Sequence, residues 1–295
     1  MPGGSTGMAS FTNNGTLTLS NGTSLPRNGG TAATATLTNN SLMVVTNGAS
    51  SVDGLTVVNS SQGVVRVAGD ASLTLPVDWN MTGGRFEGTG VFYSGGLGFV
   101  NAGGTVAPGA GTAIGTLTSN QRYNQNAGGT LEIGLVSNGV TQSCDRLVLA
   151  NGGFNGQATL GGTLRVTLPA GTSPAPIGGT DMLILDAPGG VTGQFTTLVA
   201  ADPIDNIRYM VVYTPTQVFL RIIQRCGGAD MGSVGADANF DGMLDNNDFV
   251  VFINMFFNQD PHADVGVSGG LVGSDGRFDN NDFIAFITLF FSGCP

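Results

Sequence analysis

Residues 53–75 read DGLTVVNSSQGVVRVAGDASLTL, and the fold turns on how this stretch is read. Val65 and Val67, and Leu73 and Leu75, are apolar residues separated by a single polar one, as are Leu17 and Leu19 in GTLTLSNGTSL (15–25). A period of two puts one set of side chains on one face of an extended strand. Each run is short and stops at Asn-Gly, Gly-Gly or Ser-Ser, where turns form. The pattern continues through TAATATLTNNSLMVVTNG (31–48). Strands recur in repeats of roughly 20–25 residues, the signature of a stacked repeat architecture. The expected fold class is therefore all-β: a parallel β-helix (solenoid), with Val, Leu, Ile and Phe inward, Thr, Ser and Asn outward, and Gly and Asn at left-handed corners. Strand spacing alone leaves an ordinary β-sandwich as the alternative.

Composition agrees with turn-rich β structure. Of 295 residues 49 are Gly, only 10% are charged, and all ten basic residues are Arg. Apolar residues reach 41%, too many for a disordered chain. The net charge of −10 argues against nucleic acid as a partner. No stretch of about 18 apolar residues exists, so no membrane helix is expected. Acid is concentrated at one end: residues 226–295 hold ten Asp and a single Arg, Arg277, whereas 1–225 are nearly balanced. A domain boundary is expected near Arg225–Cys226. The opening MPGGSTGMASF lacks the basic start and apolar run of a secretory signal. Either the protein stays in the cell or this sequence begins inside a longer precursor; strand repeats near its start favour the second.

Several pieces of the first region occur in a recognisable order: GTVAPG (104–109), IGTLT (114–118), GGTLEI (128–133), DRLVL (145–149), LGGTLRVTL (160–168), GGVTGQFTTL (189–198) and YTPTQVFL (213–220). This order resembles the end of autotransporter-type passenger β-helices and spans over a third of the chain. The resemblance implies that about 104–222 caps the solenoid, and 11–103 carry looser strand repeats of the same kind. Autotransporters end in a membrane β-barrel of many amphipathic strands. The last 70 or so residues here have no such pattern, so self-export through an outer membrane is not expected.

Within that final region, DANFDGMLDNND (237–248) places Asp237, Asn239 and Asp241 at positions one, three and five of a twelve-residue loop. Gly242 falls at six, Met243 at seven to offer a backbone carbonyl, Asp245 at nine and Asp248 at twelve. Calcium takes six to eight oxygens, and this spacing matches its loop pattern except for Asp in last place. The stretch behind it is expected to be a helix with Phe249, Phe252, Ile253 and Phe256 as its buried stripe, capped by Asp245 with Asp248 in the first turn. The whole unit repeats: Asp230 and Asp264, Asp241 and Asp275, and Asp248 and Asp282 are each 34 residues apart. The second copy has Asp275, Gly276, Arg277, Asp279 and Asp282 at five, six, seven, nine and twelve, ahead of Phe283, Phe286, Ile287 and Phe290. Its positions one and three are Leu271 and Gly273, so Asp264 is expected to reach back to complete the site, and one to two Ca2+ ions are expected in all. The repeats 229–257 and 263–291 resemble a dockerin, in the form that ends in Gly-Cys-Pro. That resemblance implies a small α-helical, calcium-stabilised interaction module over 226–295, docking on a cohesin-like or cell-surface protein. Asn246, Asn247, Asn280 and Asn281, at loop positions ten and eleven, are the residues that set partner choice in such modules. Their near identity in the two copies would allow two docking orientations.

Cys226 and Cys294 open and close the module. A bridge between them would tie its ends and require an oxidising compartment, with free thiols as the alternative. Cys144 has no evident partner. Catalysis is not expected. The single His, His262, has no nucleophile or further metal ligands nearby. The ten acids outside the module, Asp53, Asp70, Asp78, Glu87, Glu132, Asp145, Asp181, Asp186, Asp202 and Asp205, form no paired motif. Glu87, near Arg85 and Trp79, is the nearest thing to a cleft. The expected role is a non-enzymatic secreted or cell-surface protein, its β-helix a stalk, display or adhesion surface. A polysaccharide-binding or polysaccharide-degrading protein, with glycan as partner, is the alternative.

Overall fold

The computed structural model describes residues 10–26, 35–75, 78–95, 98–111, 113–137, 141–150, 156–169, 181–200 and 207–294. The chain is mostly β, its sheets largely parallel, with few helices. It divides into two compact units, Met1–Ala201 with Val211–Arg221, and Asp202–Met210 with Ile222–Pro295. The division passes through two strands, Ile207–Tyr213 and Gln217–Gln224, shortly before Cys226.

In the first unit most successive strands join different sheets and every third strand returns to its own series, the exception being Gln142–Cys144, which pairs antiparallel with Thr130–Ser137. Thr16–Ser20, Leu42–Thr46, Val64–Val67, Arg85–Gly88, Thr105–Pro108, Thr130–Ser137, Thr163–Thr167 and Thr197–Ala200 lie side by side in that order. A second series runs from Ser24–Pro26 through Gly48–Asp53, Ala71–Leu75, Val91–Ser94, Thr116–Ser119 and Arg146–Leu149 to Asp181–Asp186. The third set forms two sheets, one from Ser10–Asn13 to Leu55–Asn59 and one from Trp79–Met81 to Gly190–Gly193. Register is kept from strand to strand: Met43 opposes Val65, Val65 opposes Phe86, Phe86 opposes Val106, and Val106 opposes Leu131. All five are buried, so the two-residue alternation becomes a continuous apolar column. Each such side chain contributes about 1.5–3 kcal/mol on burial. Trp79, Phe86 and Phe92, from three different sheets, meet with Phe99 in one aromatic cluster with centroids 5.1–5.6 Å apart. At Asn21-Gly22 and Asn47-Gly48 both residues have positive φ, the backbone that these residue types tolerate best.

One row of the third set is polar yet buried. Asn13, Asn39 and Asn59 stand in register. Asn13 Nδ2 donates to Asn39 Oδ1 (2.8 Å), and Asn39 Nδ2 donates to Asn59 Oδ1 (2.9 Å) and to the Val64 carbonyl (3.0 Å). Asn59 Nδ2 donates to the carbonyls of Gly63 and Arg85. Further along, Asn101 Nδ2 donates to the Thr130 carbonyl, and Gln125 Nε2 to those of Gly161 and Thr163. These buried amides tie neighbouring strands together through carbonyls at or beside the strand starts. The second series ends differently: Gln217–Gln224 pairs antiparallel with Asp181–Asp186, and Arg221 grips Asp181 in a two-pronged ion pair (2.5 and 2.7 Å). A strand edge that would otherwise be open is thereby covered.

The second unit carries helices α1 (Asn246–Phe257) and α2 (Asn280–Ser292). Both begin in a full capping box, Asp245 with Asp248 and Asp279 with Asp282. Phe252 and Phe286 stack face to face at 4.0 Å, and with Ala229, Met231, Val251 and Ala263 they form the core. Of the expected stripe, Phe252 and Phe286 are buried, and Ile253, Phe256, Phe283 and Phe290 pack against that core. Phe249 and Ile287, expected in it, are 39% and 37% exposed, while Val251 and Ala285 are buried. Cys226 and Cys294 are joined by a disulfide. Among the described residues no helix is long and apolar enough to cross a membrane, which bears only on helical spans.

Two outcomes are expected. Asn39→Leu removes an acceptor and two donated bonds from the buried row, costing roughly 1–3 kcal/mol for each group left unpaired. Asn40→Ala, at the rim, changes little. Urea denaturation of the two variants checks this; an Asn39→Leu protein as stable as wild type contradicts it. Reducing the disulfide lowers the stability of the second unit by about 2–5 kcal/mol, read as a fall in its melting temperature without change in the first unit.

Candidate metal centre

The two Asp-rich loops enter their helices with the same backbone. Gly242 and Gly276 have φ of +82° and +75°, the left-handed conformation expected at position six. Asp241 Oδ1 accepts from the Met243 amide and Asp275 Oδ1 from the Arg277 amide, each at 3.0 Å. These turns bring position seven round toward the helix. Asp245 and Asp279 accept from the amides of Asn247 and Asn281 at 2.7 Å and act as N-caps.

The carboxylates at position twelve are turned to another task. Asp248 and Asp282 are both 0% exposed. Asp248 Oδ1 accepts from the amides of Met231 and Gly232, both at 2.7 Å, and its Oδ2 accepts from the Asp245 amide at 2.8 Å. Asp282 repeats this with Val265, Gly266 and Asp279, all at 2.9 Å. Gly232 and Gly266 are required for the approach. A Cβ on Gly232 would lie 2.5 Å from the Asn247 carbonyl oxygen, and one on Gly266 would lie 2.3 Å from that of Asn281.

A second buried carboxylate faces each loop. Asp230 accepts from the amides of Asp241 (3.0 Å), Gly242 (2.9 Å) and Cys226 (2.7 Å). Asp264 accepts from Asp275 (3.1 Å), Gly276 (2.7 Å) and the Ser274 hydroxyl (2.7 Å). Asp264 thus reaches its loop as expected, on amides. Asp230 was not among the expected ligands, although its 34-residue offset from Asp264 marked it. In both copies this carboxylate stands 12 residues before the left-handed glycine, so the loops are more alike than Leu271 and Gly273 imply. Leu271 belongs instead to a ribbon, Leu271–Val272 paired with Gly266–Val267, and Gly273 follows it, its amide donating to the Val265 carbonyl. Asp237 and Asn239 are exposed, and the Asp237 carbonyl, not its side chain, accepts from Ser233 and Asn239. Burial pushes the Asp230 carboxyl up, its amide donors pull it back, and the charge of Asp248 adds to the rise. Burial lowers Arg208, while Asp241 and Asp230 raise it, so its guanidinium lies in the field of both acids. Arg208 and Arg225 flank the Phe240 ring at 5.6 and 5.8 Å.

The donor chemistry of the loops suits a hard cation, but the ligand set read from the spacing is not gathered. Asp248 Oδ1 and Asp282 Oδ1 each have both lone pairs committed to amides, which leaves no bidentate carboxylate for position twelve. Among the described residues no three His, Cys, Asp or Glu side chains come close enough to hold a metal ion. Asn246 and Asn280 are exposed at the helix starts; Asn247 and Asn281 bond back to Asp245 and Asp279, and Asn281 Oδ1 also accepts from the Gly270 amide. Phe256, Phe257, Phe278, Asn280 and Phe283 line an open groove of about 610 Å³.

In the first unit Glu87 and Trp79 share no cleft. Trp79 is buried in the aromatic cluster, whereas Glu87 lies outward beneath Arg66 (2.6 Å) and Arg85 (2.5 Å). Arg85 also bridges to Glu132 (2.8 Å), which lies 3.5 Å from Arg165. This chain of alternating charge neutralises its carboxylates. Cys144 is a free thiol pushed up to about 12, mainly by burial, which makes it a poor nucleophile. His262 is exposed beside Asp260. Asp202 and Asp205 lie outside the described residues. No known protein family matches the chain, and no curated protein matches it.

Asp145 is the first unit's one strongly perturbed acid among the described residues. Its Oδ1 accepts from the Gly115 amide and its Oδ2 from the Gly134 amide, both at 2.7 Å, beside a cavity of about 200 Å³ that Glu132 also lines. Burial pushes it from 3.8 up to about 6. The folded state therefore holds this proton more tightly than the unfolded chain. Its contribution to stability is present in full below the ordinary carboxylate range and declines as pH rises through about 6. Melting of the first unit over pH ~4–8 should show that decline in wild type and a flatter curve in Asp145→Asn. Identical slopes would rule Asp145 out as the source.

Proposed function

We propose that residues 1–225 form a parallel β-helix of the autotransporter-passenger type. Residues 226–295 are its dockerin-like interaction module, and the whole is a non-enzymatic secreted or cell-surface protein. The three series of parallel strands stacked in sequence order support the β-helix reading; stacking of this kind gives a stiff spacer or display surface. The duplicated loop–helix units and the ending Gly293-Cys294-Pro295 support the second assignment. The Cys226–Cys294 disulfide supports an oxidising compartment outside the cytosol. Calcium remains an expectation of the loop spacing and is not needed for the docking role.

The observation that carries the docking role is a pair of equivalent exposed apolar stripes. On α1 Val250 and Phe257 face solvent; on α2 the corresponding Ile284 and Phe291 do so, joined by Ile287. Phe257 is 74% exposed and Phe291 79%. Large exposed aromatics on a rigid helix are the usual anchors of a protein interface. Each stripe starts at an exposed Asn, Asn246 or Asn280. Their equivalence lets a partner use either helix. Among the described residues of the first unit, Arg66, Arg85 and Arg165 pair with Glu87 and Glu132, and Arg221 pairs with Asp181, which supports a structural rather than catalytic role for those charges.

The full chain and three variants, Phe257→Ala, Phe291→Ala and the double substitution, are titrated against a panel of cohesin-like domains by calorimetry. Either single variant still binds through the intact helix, with affinity down about twofold, while the double variant loses about 2 kcal/mol or more. Unchanged affinity in the double variant, or binding by no member of the panel, contradicts the docking role. Reproducible release of reducing sugar from glycans by the full chain contradicts the non-enzymatic reading.

A further inference from the structure

We infer that each loop–helix repeat of the second unit is closed by its own pair of buried carboxylates acting on backbone N–H groups. These latches take the structural place that the loop spacing assigns to a divalent cation. Asp230 and Asp248 close the first repeat; Asp264 and Asp282 close the second. The two pairs are built alike. In each, one carboxylate holds the two amides at the left-handed glycine, and the other ties the strand-like segment before the loop to the first turn of the helix.

The chemistry of the position-twelve carboxylate makes latch and chelate alternatives. A calcium ion that took both oxygens of Asp248 would have to displace the Met231 or Gly232 amide from Oδ1, whose two lone pairs are both engaged. Buried amides without acceptors are strongly disfavoured. Gly232 and Gly266 carry the same message, since a side chain on either would collide with the helix entry that the latch holds against it. In the first repeat Arg208 adds a fixed positive charge in the field of Asp230 and Asp241. The unit therefore folds, and presents its helices, without a divalent ion, whatever partner it takes. Docking is constitutive and not switched by calcium.

Hydrogen–deuterium exchange of the full chain, in millimolar calcium and in excess EDTA, tests this. Amide protection across 246–257 and 280–292 should be the same in both, within about twofold. Asp248→Asn places an amide donor against the Asp245 N–H and should lower protection of α1 by about tenfold or more in both buffers, while Asp282→Asn does the same for α2. Asp237→Asn, at an exposed loop position, should change neither helix. The inference is overturned if EDTA alone lowers protection of either helix about tenfold, or if native mass spectrometry finds stoichiometric calcium that Asp237→Asn abolishes. Should Asp248→Asn fail to fold, the wild-type comparison decides. No partner enters the experiment, so its failure is distinct from failure of the docking reading.

Discussion

Short buried polar side chains hold this chain together at the points where its regular structure runs out of backbone partners. A strand pairs through its neighbours and a helix through its own turns, but the corners between strands and the entry to a helix leave amides and carbonyls unpaired. In the first unit the amides of Asn39, Asn59, Asn101 and Gln125 donate to carbonyls at or beside the strand starts, and Asp145 accepts from the N–H groups of Gly115 and Gly134. In the second, Asp230, Asp248, Asp264 and Asp282 accept from N–H groups at the loops and helix entries. Bonds to a charged acceptor contribute about 1.5–3 kcal/mol each, and an orphaned group costs about as much. Apolar columns supply the bulk of the stability, while these side chains fix where each repeat begins and ends.

Much of the local structure was legible in the sequence because it is set by neighbours in the chain. The alternation at Val65 and Val67, and at Leu73 and Leu75, gave strands with those residues inward. The Asn-Gly pairs at 21–22 and 47–48 gave left-handed turns. Asp245 and Asp279 were readable as caps because an N-cap bonds within three residues of itself. The pairing Cys226–Cys294 was readable from the module's ends.

What escaped the sequence depended on distant groups. Phe249 and Ile287 fall at the margin of a helical stripe whose other members face the core, and Val251 and Ala285 on the opposite margin are the ones buried. The loop motif fixed attention on Asp237, whereas the carboxylate that meets the loop's amides is Asp230. Spacing alone marks Asp248 as a ligand position; it cannot show that the amides of Met231 and Gly232, 17 and 16 residues earlier, donate to it. Glu87 and Trp79 lie near each other in sequence but on strands of different sheets: Trp79 turns into the aromatic core, while Glu87 turns away from it to Arg66 and Arg85. Strand alternation sets Arg66, Arg85, Glu87 and Glu132 side by side as an ion-pair chain.

The central claim is that carboxylates on backbone amides, and not a bound ion, close the two helical repeats. A high-resolution crystal structure of the full chain grown in millimolar calcium tests it most directly. The account predicts Asp248 within hydrogen-bond distance of the Met231 and Gly232 amides, and Asp282 of those of Val265 and Gly266. A calcium ion held by both oxygens of Asp248 or of Asp282, with those amides released, would contradict it.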